Sequence, residues 1–440
     1  MDAKKTVGVK VMHGYDIVVA GGGPAGFCAA VEAARSGAKT LLVEATGNLG
    51  GMASSGLVPD WCGFHDQEKY IHRGLAAEVL AGLRMYAGQN PSEDIRDMGR
   101  IDPEAIKSVM DRIAQESGVD ILFFTTLAGV ETGKDGLVKE AVIANKNGLF
   151  SVDAKLFIDC TGDADLCHFA GAKTLKGDTD GDMQPPTLCT VMGGVSTEGA
   201  PPDFLQRIID DPEFPLIKDS FLMFFHFPTC VHINGGHLWD VDGSEVGSLT
   251  KAMMDGRAQA RQFRDAFRKY LPAAKEAELI QTASLLGVRE TRRIVGDYVL
   301  SKEDYIARHR FNDEISLNSF VIDIHPSWAN RLRERRGEWN WREEKRGYRY
   351  GKGEFHGIPY RCLVPEGLKN VINAGRSVSS DREAQSAVRV MPPCMTMGQA
   401  AGAAAALLLK EGACDFHKVN VGALRARLKS EGAFLPDVKE

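Results

Sequence analysis

Short apolar runs alternate with amphipathic stretches through the first 160 residues and again near the C-terminal end. Ile17–Ala20 is a four-residue apolar run, partly β-branched, as expected of a strand buried on both faces. Residues 27–35 are Ala-rich and helix-prone, and Gly37 ends them. Thr40–Val43 repeats the strand pattern. Residues 65–87 read as a helix with Ile71, Leu75, Val79 and Leu80 on one face. Residues 102–117 read as another, with an Asp102 cap, Pro103 in the first position and a stripe of Ile106, Val109, Met110 and Ile113. A strand follows at 120–125. Three more, at 127–131, 137–144 and 149–154, are separated by polar, Gly-containing breaks, which predicts an antiparallel meander over 126–154. Residues 155–160 return to the buried-strand pattern.

The texture changes at Lys173. Residues 173–186 are polar and rich in Gly and Pro, a linker pattern. Strands are expected at Phe221–Phe227 and 230–233, and a long helix at 250–270. The run 331–346 mixes Arg and Glu and reads as a solvated helical face. A return strand is expected within 355–364 and a parallel-type strand at 368–374. A very Ala-rich helix is then expected from about Met395, with small residues that let its backbone lie close to a sheet. The pattern is α/β: a doubly wound sheet with an inserted β-meander, and a second α+β domain. The expected division is 1–172 and 355–440 for the first domain and 173–354 for the second.

The strand–helix–strand unit at 15–44 carries chemistry. Gly21, Gly23 and Gly26 stand at GxGxxG spacing between the first strand and the helix. Gly21 allows the tight turn. Gly23 has no Cβ, so a pyrophosphate can approach the backbone. Gly26 lets the helix pack close to the sheet. The helix start then faces the phosphate charge. Glu44 closes the second strand, where a carboxylate accepts from both hydroxyls of an adenosine ribose and repels a 2′-phosphate. The whole unit, rather than the glycines alone, predicts dinucleotide binding.

With 440 residues, 44% hydrophobic and 25% charged, the chain suits a soluble protein of two or three domains. Its formal net charge of −6 provides no field to recruit nucleic acid or an anionic membrane. The nine Cys lack CxxC or zinc-ligand spacing, so no metal is expected and reduced thiols in a cytoplasmic setting are. No apolar run of about 18 residues is present to span a membrane.

Taken together, GGGPAGFCAA, NLGGMASSGLV, DCTGDADL, GVRETRRIVGDY, IPYRCLVP and NAGRSVSSDREAQSAVRVMPPCMTMGQAAGAAAA resemble the FAD-dependent oxidoreductases of the glutathione-reductase-like fold. The resemblance implies a Rossmann-like FAD-binding domain interrupted by a substrate domain. It implies pyrophosphate contacts from Gly21, Gly23, Pro24, Ala25 and Gly26, and a ribose contact from Glu44. Gly50, Gly51 and Met52 would lie near the ribityl chain and flavin, and Thr126 or Leu127 would reach the adenine. Thr161 and Gly162 would line the diphosphate region. Gly375, Met397, Gly398 and Gln399 would approach the pyrimidine end. A second GxGxxG unit for a nicotinamide cofactor is not found.

On the substrate side, Arg289, Arg292 and Arg293 would share one face if 289–293 were helical, and would suit a carboxylate or an enolate. His232 or His226 would move a proton near neutral pH. Cys62 and Cys394 are weaker candidates for a redox pair. The expected activity is hydride transfer between flavin and a small organic substrate, anionic or carbonyl-bearing. The alternative is a flavoprotein subunit that relays electrons to a protein partner. The external electron donor or acceptor is not specified, and a homo-oligomer is compatible with the sequence.

Overall fold

The computed structural model describes residues 8–89, 101–178, 181–338 and 348–437. Five strands form a parallel sheet in the spatial order Val371–Asn373, Leu156–Asp159, Ile17–Ala20, Thr40–Val43 and Asp120–Leu122. Alternation along the strands feeds two separate cores. Ile17, Val19 and Leu42 face a helical layer made of Pro24–Arg35, Pro103–Glu116 and Met391–Lys410. Val18, Ala20, Leu41 and Val43 face Val138, Ala141, Ile143 and Val152 of a second sheet. That sheet is the meander Thr126–Thr132, Val138–Asn145 and Gly148–Asp153. A strand not foreseen, Val9–Met12, adds to it in parallel with Gly148–Asp153.

The second half of the chain builds an antiparallel sheet in the order Phe221–Phe227, Cys230–Gly235, Thr190–Gly193 and Glu278–Thr282. The helix Val246–Tyr270 covers it, with Phe263 and Phe267 against Phe221.

Several expected elements differ. The helix expected at 65–87 is Leu75–Tyr86. Before it, Asp66 Oδ1 accepts from the amides of Glu68 and Lys69, and that turn competes with helix. Within the expected linker, Thr174–Lys176 is a strand paired with Arg292–Ile294. The return strand is His356–Pro359. It pairs with Glu314–Asn318 and not with the parallel sheet. The charged run begins as the helix Trp328–Arg335, and 339–346 lies outside the described residues. The Ala-rich helix starts at Met391, one turn earlier than expected.

Candidate active site

The carboxyl ends of the parallel strands open onto a cavity of about 360 Å³. Its floor follows from the glycines. Gly21 has φ +95°, and a Cβ there would stand 2.4 Å from the Cys160 carbonyl oxygen. A Cβ on Gly26 would stand 1.7 Å from the Gly21 carbonyl oxygen. Gly23 is different: nothing lies within 4 Å of where its Cβ would be. It caps the helix Pro24–Arg35, whose N-terminus borders the cavity. Glu44 is held at the edge by its neighbours. Its Oε2 accepts from the Gly22 amide at 2.7 Å, and its Oε1 from the amide and hydroxyl of Thr46, each at 2.7 Å. An open, Cβ-free approach, a helix start and a fixed carboxylate together fit an ADP-containing cofactor.

A second cavity, of about 410 Å³, adjoins the first. Met52, Val288, Arg376, Arg389 and Met391 line both. The start of the helix Met391–Lys410 therefore lies at the junction. Pro392 and Pro393 occupy its first turn and have no N–H to donate, so the helix offers its dipole and the Met391 amide more than a row of donors.

Arg289 lines the second cavity and is only 9% exposed. Its Nη1 donates to the Pro185 carbonyl at 2.7 Å, and it forms no ion pair with the described residues. Burial, with Arg389 nearby, pulls it down to about 10, so it keeps its charge at neutral pH. Arg376 is held by Asp163 (2.8 Å) and the Gly162 carbonyl (2.8 Å), and Arg389 by Asp323 (3.1 Å). His237 and His325 also line this cavity, with His237 Nε2 2.7 Å from His325 Nδ1.

Over residues 16–428 the sequence matches the family described as FAD dependent oxidoreductase. The chain belongs to that family. It is 27% identical over 174 residues to a digeranylgeranylglycerophospholipid reductase of Thermoplasma acidophilum, covering 37% of this chain and 43% of that protein. It is 32% identical over 157 residues to a dihydrolipoyl dehydrogenase of Trypanosoma brucei brucei, covering 34% of this chain and 31% of that one. The chain thus spans less than half the length of these two curated relatives. Among solved structures, a geranylgeranyl bacteriochlorophyll reductase-like protein from Thermoplasma acidophilum aligns with 97% of this chain and 85% of its own. Its TM-score is 0.46 and its identity 13%.

Membership of this family makes FAD the cofactor that the first cavity would hold. When bound, FAD supplies the hydride-accepting and hydride-donating centre. Gly21, Gly23, Pro24, Ala25, Glu44, Gly51, Met52, Thr126, Leu127, Thr161, Gly162 and Gly375 all line the first cavity. Gly26, Gly50, Met397, Gly398 and Gln399 are not among its lining residues. Gly50, at φ +100°, donates its amide to the Gly22 carbonyl. Met397 is fully buried. Gln399 accepts from the Leu75 amide at 3.1 Å and donates to Glu32, so it joins three helices.

The substrate-side candidates part company. The segment 289–293 is not helical, and Arg292–Ile294 is a strand, so successive side chains diverge. Arg292 pairs with Asp165 at 2.8 Å and lines neither cavity. Arg293 is buried against Glu290 at 2.6 Å. His232 stacks on His226 with ring centroids 4.0 Å apart, lines neither cavity, and is pulled down to about 4 mainly by burial. Cys62 lines the second cavity and Cys394 the first, and burial pushes both thiols up to about 12, far from thiolate at neutral pH.

Sequence reasoning passed over Arg376, Arg389 and His325. The two Arg stand inside the stretch NAGRSVSSDREAQSAVRVMPP, which resembles a family motif and borders the first cavity, and that was a usable signal. His325 had no local signal.

Proposed function

We propose that this chain transfers a hydride between bound FAD and a small organic substrate, anionic or carbonyl-bearing, seated in the second cavity. Arg289 carries the reading. A buried guanidinium without a carboxylate partner is costly, and a substrate carboxylate or a developing enolate would offset that cost. Arg331, Arg376 and Arg389 also line this cavity, but each is already paired with Glu334, Asp163 or Asp323. The Met52–Met391 junction would bring substrate against the flavin end of the first cavity. On this reading Arg289 binds and orients the substrate. Val58, Phe221, Phe224 and Phe320 supply apolar wall. The substrate domain corresponds to 173–354, between the two FAD-domain segments 1–172 and 355–440.

The test is anaerobic mixing of FAD-loaded protein with a panel of small carboxylates, hydroxy acids, amino acids and ketones. Saturable bleaching by members bearing a carboxylate or carbonyl supports the reading. Bleaching only by compounds with neither a carboxylate nor a carbonyl, or only by a reduced protein partner, counts against it.

A further inference from the structure

We propose that His237 and His325 form a two-imidazole proton store, reached from the second cavity at His325 Nε2, which takes up or returns the one proton that accompanies hydride transfer. This rests on reading that cavity as the substrate site.

The argument is a proton count. A neutral imidazole carries one N–H. Both ends of the array face a carboxylate, Asp219 at His237 Nδ1 and Asp323 at His325 Nε2; the Asp219 contact is the shorter, so we assign the ring proton of His237 to Nδ1, which donates it. His237 Nε2 is then an acceptor, and its partner at 2.7 Å is His325 Nδ1, which must donate. That uses the only proton of His325. Its Nε2 therefore faces Asp323 Oδ2, at 3.1 Å, as lone pair against lone pair. One added proton converts this contact into a charge-assisted hydrogen bond. Every ring nitrogen is then bonded from Asp219 through to Asp323. The array is one proton short when neutral and complete when it carries a single positive charge.

The surroundings keep the slot empty at rest. Arg289 approaches from the loop after Leu286 and Arg331 from the helix Trp328–Arg335. With burial, they favour neutral rings: both imidazoles are pulled below the usual histidine range. Asp219 and Asp323 favour the charged form, and Asp323 is itself tied to Arg389. A base opposed in this way can take a proton and give it back.

All four residues of the chain, Asp219, His237, Asp323 and His325, line the cavity. With a secondary alcohol as substrate, the O–H bond breaks and its proton passes to His325 Nε2. The carbon's hydrogen leaves with its electron pair as hydride, which the oxidised flavin accepts, and the C=O bond forms. In the reverse direction the stored proton returns to oxygen as hydride reaches carbon.

The test uses FAD-loaded protein labelled with nitrogen-15 in histidine, with His237→Gln and His325→Gln variants to assign the signals. At neutral pH both residues should show a protonated Nδ1 and a bare Nε2, the tautomer that free histidine disfavours. On acidification the pair should gain one proton, at His325 Nε2, in a single step. A protonated His325 Nε2 at neutral pH, or two independent titrations near the ordinary histidine value, overturns the proposal. Should His325→Gln fail to fold, Asp323→Asn retains both rings and must lower the midpoint of that step; an unchanged midpoint is equally fatal. These readouts need no substrate, so they decide the proton count even if no panel compound bleaches the flavin. With a bleaching compound in hand, His325→Gln should slow bleaching about 100-fold at unchanged FAD content. A retained rate removes the proton-exchange role and leaves the substrate reading intact.

Discussion

A Cβ placed on Gly398 would stand 2.0 Å from the carbonyl oxygen of Ala25, and this approach sets how closely the helices Met391–Lys410 and Pro24–Arg35 run together. One turn on, a Cβ on Gly402 would stand 2.4 Å from the Ala29 carbonyl oxygen. The two glycines form a groove that receives the first helix. Gly398→Ala should therefore lower stability by about 1–3 kcal/mol through overpacking. The loss should be the same with and without FAD, as thermal unfolding of both forms would reveal. A change confined to FAD affinity would make Gly398 a cofactor contact instead.

Gly23 and Gly26 separate binding from folding within one motif. Gly23 faces open space and has an ordinary φ of −66°, so Gly23→Val should leave a folded protein that has lost FAD. Gly26→Ala puts a methyl into the Gly21 carbonyl and should cost stability first. Flavin content after desalting, read beside the melting temperature, distinguishes the two outcomes.

Arg289→Lys retains charge but loses the planar fork. Once a substrate is known, KM should rise about tenfold or more, with normal FAD content and melting temperature. Arg292→Gln should behave oppositely, because its guanidinium serves Asp165 and the Asp163 carbonyl. Its melting temperature should fall while turnover at low temperature is kept.

Glu32 gives a pH dependence with a defined sign. It is buried in the helix Pro24–Arg35, where it accepts from Gln399 at 3.1 Å and Arg427 at 2.6 Å. Burial, then Glu431, push it up to about 7 from 4.5, against the pull of Arg427. The folded state thus holds this proton more tightly than the unfolded chain. The stability it contributes is present below about pH 4.5 and is lost as pH rises through about 7. His232, His237 and His325, pulled below the usual histidine range mainly by burial, act with the opposite sign within the same window, so the prediction is a difference: between pH 5 and 8 the wild-type melting temperature should fall relative to that of Glu32→Gln. Parallel pH profiles for the two proteins would exclude the Glu32 contribution.

Much of the FAD-binding half was legible because its signals are local. Ile17–Ala20, the glycines, the helix and Thr40–Val43 are covalent neighbours, and strand period and turn chemistry act over a few residues. Asp102 and Pro103 likewise announced the helix that follows them. The same locality misled at 65–74, where helical periodicity was read but the Asp66 turn took the amides.

The second cavity was decided by tertiary structure. RETRR presents three Arg in five residues, and the fold sends Arg289 to a cavity, Arg292 to Asp165 and Arg293 to Glu290. Those destinations depend on the pairing of Arg292–Ile294 with Thr174–Lys176, more than 100 residues away. His237 meets His325 across 88 residues, while the more conspicuous His226 and His232 stack on each other. Sequence by itself determined the dinucleotide unit, the α/β class and the cofactor family, because each is written in short-range pattern. Which Arg is left without an ion pair among the described residues and which His rings meet depended on long-range packing, since burial and hydrogen-bond partners exist only once distant segments meet.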